Sequence, residues 1–282
     1  MSRNIFFLAI TLFGTVLCAQ VNPILKVETY QLDNGLTIHL NRDTTATRVF
    51  GAVMVNAGAK HEDPNATGMA HYLEHLLFKG TDKYGTIDYS SEKPYLDSIN
   101  SLYEILAVTD EEGEKKRLQS LINQQSVAAA AYALPNEFDK MLKSIGSTGV
   151  NAFTNYEMTF YHNSFPSHEI EKWLMLYAER FRNPVFRSFQ SELEVVYEEK
   201  NRAMDSFERR IFEEASSHMF PNLPYGQWSV LGTIDHLKTP SLIRMYQFYD
   251  DNYVSENMSL ILSGNFDSNL VKPIIEREFS DF

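Results

Sequence analysis

Apolar and polar side chains alternate from Leu36 to Leu40, directly after the tripeptide Asp33-Asn34-Gly35. Alternation next to a turn signal predicts a β-hairpin over Lys26 to Leu40. Val49 to Asn56 is a second strand, apolar enough to be buried on both faces. After a polar loop from Lys60 to Thr67 the period changes to that of a helix. It opens at Thr67 or Gly68, runs through Met69, Leu73, Leu76 and Leu77, and ends at Gly80. From Pro94 to Ala131, leucine and isoleucine recur at helical spacing on either side of a charged turn at Asp110 to Glu114, which predicts an antiparallel helix pair. A helix from Pro135 to Ile145 follows, and then an alternating stretch from Gly149 to Tyr161 that reads as two strands or one bent strand pair. The remainder predicts helices over Glu169 to Phe181, Phe189 to Phe220, Ser241 to Tyr249 and Ser268 to Phe279. A short buried strand, Met258 to Leu262, lies between the last two. Strands and helices mix without regular βαβ alternation, so the expected class is α+β.

Composition narrows the function. The chain has 282 residues, 44% hydrophobic and 22% charged, which suits a globular protein with a sizeable core. Lys and Arg total 25 against 37 Asp and Glu, a net charge of −12, and this argues against nucleic acid as a partner. One cysteine, Cys18, leaves no disulfide framework and no thiolate metal site. Residues 1–19 read as an export signal: Arg3 supplies the positive end and Ile5 to Val16 an apolar run too short to span a bilayer comfortably. Cleavage after Ala19 and a periplasmic or cell-envelope location are expected. A lipid anchor on Cys18 and an uncleaved membrane anchor are the alternatives.

The sharpest chemical feature is His71-Tyr72-Leu73-Glu74-His75. On a helix these three polar side chains project from one face. Two neutral imidazoles are good zinc ligands, and a carboxylate beside them can take a proton from water on the metal. The order H-x-x-E-H is that of the inverzincins. A catalytic zinc needs a third protein ligand. Glu192 and Glu199 stand two helical turns apart on one face, so that one carboxylate can bind the metal while the other supports the ligand shell. Isolated histidines elsewhere (His39, His61, His162, His168, His218 and His236) have no partner at ligand spacing. No G-x-S-x-G elbow and no phosphate-binding glycine loop is present.

Several segments together resemble the pitrilysin (insulinase) family of zinc peptidases, which includes the mitochondrial processing peptidases. Gly68 to Thr81 is similar to the family's signature helix and exit loop, and Leu32 to Leu36 to its opening hairpin. Asn151-Ala152-Phe153-Thr154 is similar to its substrate-side strand, Glu192 to Glu199 to its second acidic helix, and Asn257 to Asp267 to its closing strand and turn. The resemblance implies half of a bilobed unit over residues 26–282, with a mixed, largely antiparallel sheet and helices on one face. It implies one Zn2+ held by His71, His75 and Glu199, with Glu74 as general base and Glu192 as supporting acid. The reaction implied is endopeptide hydrolysis of peptides bound as extended strands along Asn151 to Thr154. A second, inactive lobe is expected as partner, in the same polypeptide or in another.

One departure stands out. The family places its distal glutamate roughly 77 positions after the second histidine, and Glu199 follows His75 by 124. The surplus is close to the length of the helix pair at about 94–131, which therefore reads as an insertion. Counting the usual interval lands on Ala152, which cannot bind a metal; Glu157 is the nearest alternative ligand. The remaining rivals are a partner subunit that keeps zinc without catalysis, and S-ribosylhomocysteine lyase, which shares the H-x-x-E-H order but relies on a cysteine absent from the body of this chain.

Overall fold

The computed structural model describes residues 25–238 and 240–282. The expected export signal and Cys18 lie outside them. Six strands form one sheet: β1 (Val27–Gln31), β2 (Thr37–Arg42), β3 (Arg48–Val55), β4 (Thr148–Thr154), β5 (Thr159–Pro166) and β6 (Met258–Gly264). Their spatial order is β1-β2-β6-β3-β5-β4, with β1 and β4 at the edges. Every neighbouring pair is antiparallel except β2 and β6, where Ile38 sits opposite Leu260 in parallel. The sheet is therefore mixed and largely antiparallel, in an α+β fold.

Alternation sorts the two faces. Ile38, Leu40, Val49, Val53, Tyr161, Phe165, Leu260 and Leu262 are buried on one. Phe50, Met54, Phe160, His162, Ile261 and Ser263 are only half-buried on the other. Helices pack on the first. Trp173 stacks on Phe165 with centroids 4.8 Å apart, and it lies so close to β3 that a Cβ on Gly51 would meet its ring at 2.5 Å. Only glycine admits that approach. Among the described residues no helix is long and apolar enough to cross a membrane.

The helices are α1 (Met69–Leu76), α2 (Tyr89–Ala107), α3 (Glu112–Ala130), α4 (Glu137–Ser144), α5 (Ile170–Arg180), α6 (Phe189–Asp205), α7 (Phe207–Met219), α8 (Pro224–Gln227), α9 (Ile234–Lys238), α10 (Leu242–Asn252) and α11 (Ser268–Phe279). Several expected boundaries are corrected. The helix expected over Phe189 to Phe220 is two: Ser206 is extended (φ −77°, ψ 120°), and its Oγ accepts from the Arg209 amide to cap α7. An N-cap serine inside an amphipathic run hides in the periodicity, because both helices keep the same period. The helix pair begins at Tyr89 rather than Pro94, because Asp88 caps it by accepting from the Ser91 amide. Helix α4 starts at Glu137, after Asn136 in the left-handed region (φ 59°), and α1 stops at Leu76 before Gly80. Helix α10 and strand β6 run past their expected ends, and the short α8 and α9 were not expected.

The helix pair is rooted in the body. Thr86 bridges to Ala133 at its base, and the buried Arg187 Nε donates to both oxygens of the buried Glu92 at 2.8 and 2.9 Å.

Candidate metal centre and active site

Helix α1 presents His71, Glu74 and His75 on one side, while Tyr72, Leu73 and Leu76 bury the other. The Tyr72 hydroxyl donates to the Phe189 carbonyl, and the two rings pack at 4.9 Å, so the start of α6 is fixed against α1. This contact carries Glu192 and Glu199 to the histidines. One Glu199 carboxylate oxygen lies 3.4 Å from His71 Nε2 and 3.8 Å from His75 Nε2. One ligand atom from each of these residues lies within 4.8 Å of the others. Atoms bound at about 2.0–2.1 Å to a tetrahedral zinc sit about 3.4 Å apart, so the donor set and its spacing fit that ion.

The surroundings prepare the donors. Burial, aided by His75 and Arg209, lowers His71 to about 4, so its ring is neutral at physiological pH. His75 Nδ1 lies 3.4 Å from Glu192, which directs the lone pair of its neutral form to Nε2. Lys79 Nζ holds the other Glu192 oxygen at 2.5 Å. Burial would raise the Glu192 carboxyl, but the hydrogen bonds of His75 and Lys79 outweigh it and hold the group below its ordinary value.

Glu74 points past the histidines toward β4. Its Oε2 accepts from Thr154 Oγ1 at 2.6 Å. Burial raises its pKa, opposed by the Thr154 bond and by the charges of His75 and Arg180. A carboxyl whose affinity for protons is raised is better suited to taking one up. Thr154 ends the edge strand β4, which pairs with β5 alone, so Asn151, Ala152, Phe153 and Thr154 lie along an open sheet edge beside the histidines. Glu157 is elsewhere: it bonds Lys60 and Tyr225 on the surface.

Sequence reasoning gave no side-chain role to four residues here. Thr154 was singled out for its backbone, yet its hydroxyl holds Glu74. Lys79 sits in the signature segment without being given a role. Arg180 is fully buried, its guanidinium 4.1 Å from the centre of the Phe78 ring and 4.3 Å from that of Tyr161, close enough to influence Glu74. Glu62, in a loop read only as polar, accepts from the amides of Gly68 and Ala70 at 2.8 and 2.7 Å. None of these carries a local pattern; each becomes visible only when its partner is known.

Comparison with known proteins places this arrangement. Residues 37–94 and 127–232 match the family described as Insulinase (Peptidase family M16). The internal gap in the match, residues 95–126, covers most of α2 and α3 and the turn between them. An uncharacterized zinc protease of Rickettsia bellii is 26% identical over 252 residues, 89% of this chain and 49% of that protein. A probable zinc protease, PqqL, of Haemophilus influenzae is 26% identical over 256 residues, 89% of this chain and 23% of that protein. Among solved structures, a protease from Helicobacter pylori superposes with a TM-score of 0.69 at 22% identity, covering 92% of this chain and 51% of its own. The first half of the periplasmic protease PqqL from Escherichia coli gives 0.67 at 21% identity, with 91% and 46% covered. The chain thus spans about half the length of several relatives, and about a quarter of the PqqL of Haemophilus influenzae.

Proposed function

We propose that this chain, which belongs to the insulinase family (peptidase family M16), is the catalytic half of a zinc-dependent endopeptidase. The observation that carries the reading is the convergence of His71, His75 and Glu199 within 4.8 Å, with Glu74 at their side and the open edge of β4 beyond it. His71, His75 and Glu199 hold the metal, and Glu192 orients His75. When bound, zinc acidifies its water toward a pKa of about 7 and polarises the scissile carbonyl. Glu74 accepts the proton released on attack and returns it to the leaving amine, with Thr154 fixing one of its oxygens so that the other exchanges the proton. An extended peptide adds to β4 along Asn151 to Thr154, which reads backbone rather than a particular side chain.

Curated relatives about twice as long support a second, homologous and inactive lobe, supplied in cis beyond residue 282 or in trans, that closes over the substrate. Residues 1–19 serve as an export signal, and the periplasm, named for the Escherichia coli protease, is the proposed compartment. The α2–α3 pair is an insertion, in keeping with its omission from the family match.

The test is metal content together with hydrolysis of extended peptides. Wild-type protein should purify with or take up one zinc per chain, and His71→Ala and Glu199→Ala should lose it. Zinc uptake without hydrolysis, both alone and with a supplied second lobe, would favour the non-catalytic partner subunit. Full zinc binding by Glu199→Ala would remove Glu199 from the ligand set.

A further inference from the structure

Helix α1 is only eight residues long, and its N-cap, Gly68, has no side chain to satisfy the first amides. The first turn of a helix leaves four N–H groups without intrahelical partners. Here the partner comes from outside the helix. The buried Glu62 lays one oxygen on the Gly68 amide at 2.8 Å and the other on the Ala70 amide at 2.7 Å, directly before His71.

Glu62 is itself held to the proposed substrate strand. The 3-10 turn just before it, Ala59–His61, hangs on the turn that directly follows β4: the Ala59 amide donates to Asn155 O and the Lys60 amide to Tyr156 O, both at 3.0 Å. Further along α1, Glu74 accepts from Thr154, the last residue of β4. The metal-ligand helix and the strand are therefore tied together twice, once through Glu74 and once through Glu62. The opposite side of the α1 entrance is closed by the Ser229–Gly232 turn, where a Cβ on Gly232 would meet Thr67 O at 2.5 Å, and by His236, whose Nδ1 accepts from the Thr67 amide at 3.1 Å.

We propose that Glu62 is a positioning residue that sets the rotation and depth of α1, and so the placement of His71 and His75 against Glu199 and β4. The proposal rests on the reading that those three residues hold the metal. Groups that orient metal ligands from the outer shell typically alter affinity 10–100-fold when removed.

The experiment measures the zinc dissociation constant of the full chain by competition with a chelator of known affinity, alongside the circular dichroism and melting of the zinc-free protein. Glu62→Ala should weaken zinc about tenfold or more, while the folded zinc-free spectrum is kept. Glu62→Gln, which keeps one acceptor oxygen but turns an amide donor toward the other backbone N–H, should fall between wild type and Glu62→Ala. A purely structural role would lower the melting midpoint of Glu62→Ala and leave the affinity of the folded protein unchanged, and that result overturns the proposal. Should Glu62→Ala fail to fold, hydrogen exchange on zinc-free wild type decides: protection of the Gly68 and Ala70 amides supports the clamp, and exchange at open-loop rates overturns it. Wild type that takes up no zinc removes the metal-site reading and this proposal with it. Equal affinity in wild type and Glu62→Ala removes this proposal alone.

Discussion

Helix α1 and the α2–α3 pair are built on opposite principles. The eight residues of α1 take their polar partners from outside the helix: Thr154 for Glu74, Glu192 for His75 and the Phe189 carbonyl for Tyr72, all far along the chain, and Glu62 in the preceding loop for the first amides. The paired helices, 19 residues each, mostly satisfy themselves. Their ion pairs are one turn apart, Lys93 with Asp97, Lys115 with Glu112 and Arg117 with Glu114, and their caps are the local Asp88 and Glu111. At the root and along one side they lean on the body, through Glu92 with Arg187, Tyr103 with Gln190, Glu104 with Ser241, and the packing of Tyr103 on Phe189. A helix whose geometry is set by tertiary partners can hold reacting groups in register. One set by its own sequence can be added or lost with little consequence for them.

The largest break in this contrast is expected at α1. Glu74→Gln should bind zinc as wild type does and reduce turnover by about 10²–10⁴-fold, the usual worth of a positioned general base. Peptide hydrolysis near the wild-type rate would remove Glu74 from the proton transfer. The pair should respond only at its root. Glu92→Ala leaves the buried Arg187 guanidinium without its counter-ion, a change that costs about 3–5 kcal/mol in stability. Chemical denaturation should record that loss, while zinc affinity at temperatures where the variant is folded stays at the wild-type value. A loss of zinc affinity in step with stability would mean that the pair is part of the site after all.

The same contrast explains what the sequence made legible. The H-x-x-E-H helix, the hairpin turn at Asp33 to Gly35 and the leucine spacing of the helix pair are local patterns, and the structure has a helix, a turn and a helix pair at those places. Glu199 stands 124 residues from His75, and its approach to the histidines was inferred from the two-turn spacing to Glu192 and from family resemblance. The parallel pairing of β2 with β6 joins segments more than 200 residues apart, and no turn chemistry encodes it. Glu62 was hidden for the same reason: in sequence it is one acid in a polar loop, and its meaning lies in two amides it reaches only after folding. The break at Ser206 failed for a local reason, since a capping serine keeps the polar period intact.

A smaller effect concerns pH. Burial raises the Glu62 carboxyl from an ordinary 4.5 to about 8, against the pull of the Ala70, Gly68 and Met69 amides. The folded state therefore holds this proton more tightly than the unfolded chain. Its contribution to stability is whole below about pH 4.5 and is lost as the pH rises through about 8. The melting midpoint of the zinc-free protein should fall between pH 7 and 9, and less so in Glu62→Gln. Nearby His61 and Asp63 are both shifted downward, His61 chiefly by burial and Asp63 chiefly by the Asn65 amide, so neither titrates in that window. Equal slopes in the two proteins would assign the effect elsewhere.

The smallest expected difference is between two ion pairs of the same chemistry. Lys79 holds Glu192, which holds His75, so Lys79→Met frees the supporting acid from one of its two partners. Zinc affinity should weaken several-fold, at the low end of what removal of an outer-shell partner does, because the His75 contact itself remains. Arg117 grips Glu114 through two hydrogen bonds, at 2.8 and 2.6 Å, which is the better geometry of the two. That pair is exposed on α3 and leads to nothing beyond its own helix, and exposed pairs contribute little. Arg117→Ala should leave both zinc affinity and the melting midpoint where they are. If Arg117→Ala moved zinc binding as much as Lys79→Met, the position of an ion pair would not be what decides its consequence, and the division between a site helix set by distant partners and a self-sufficient helix pair would fail.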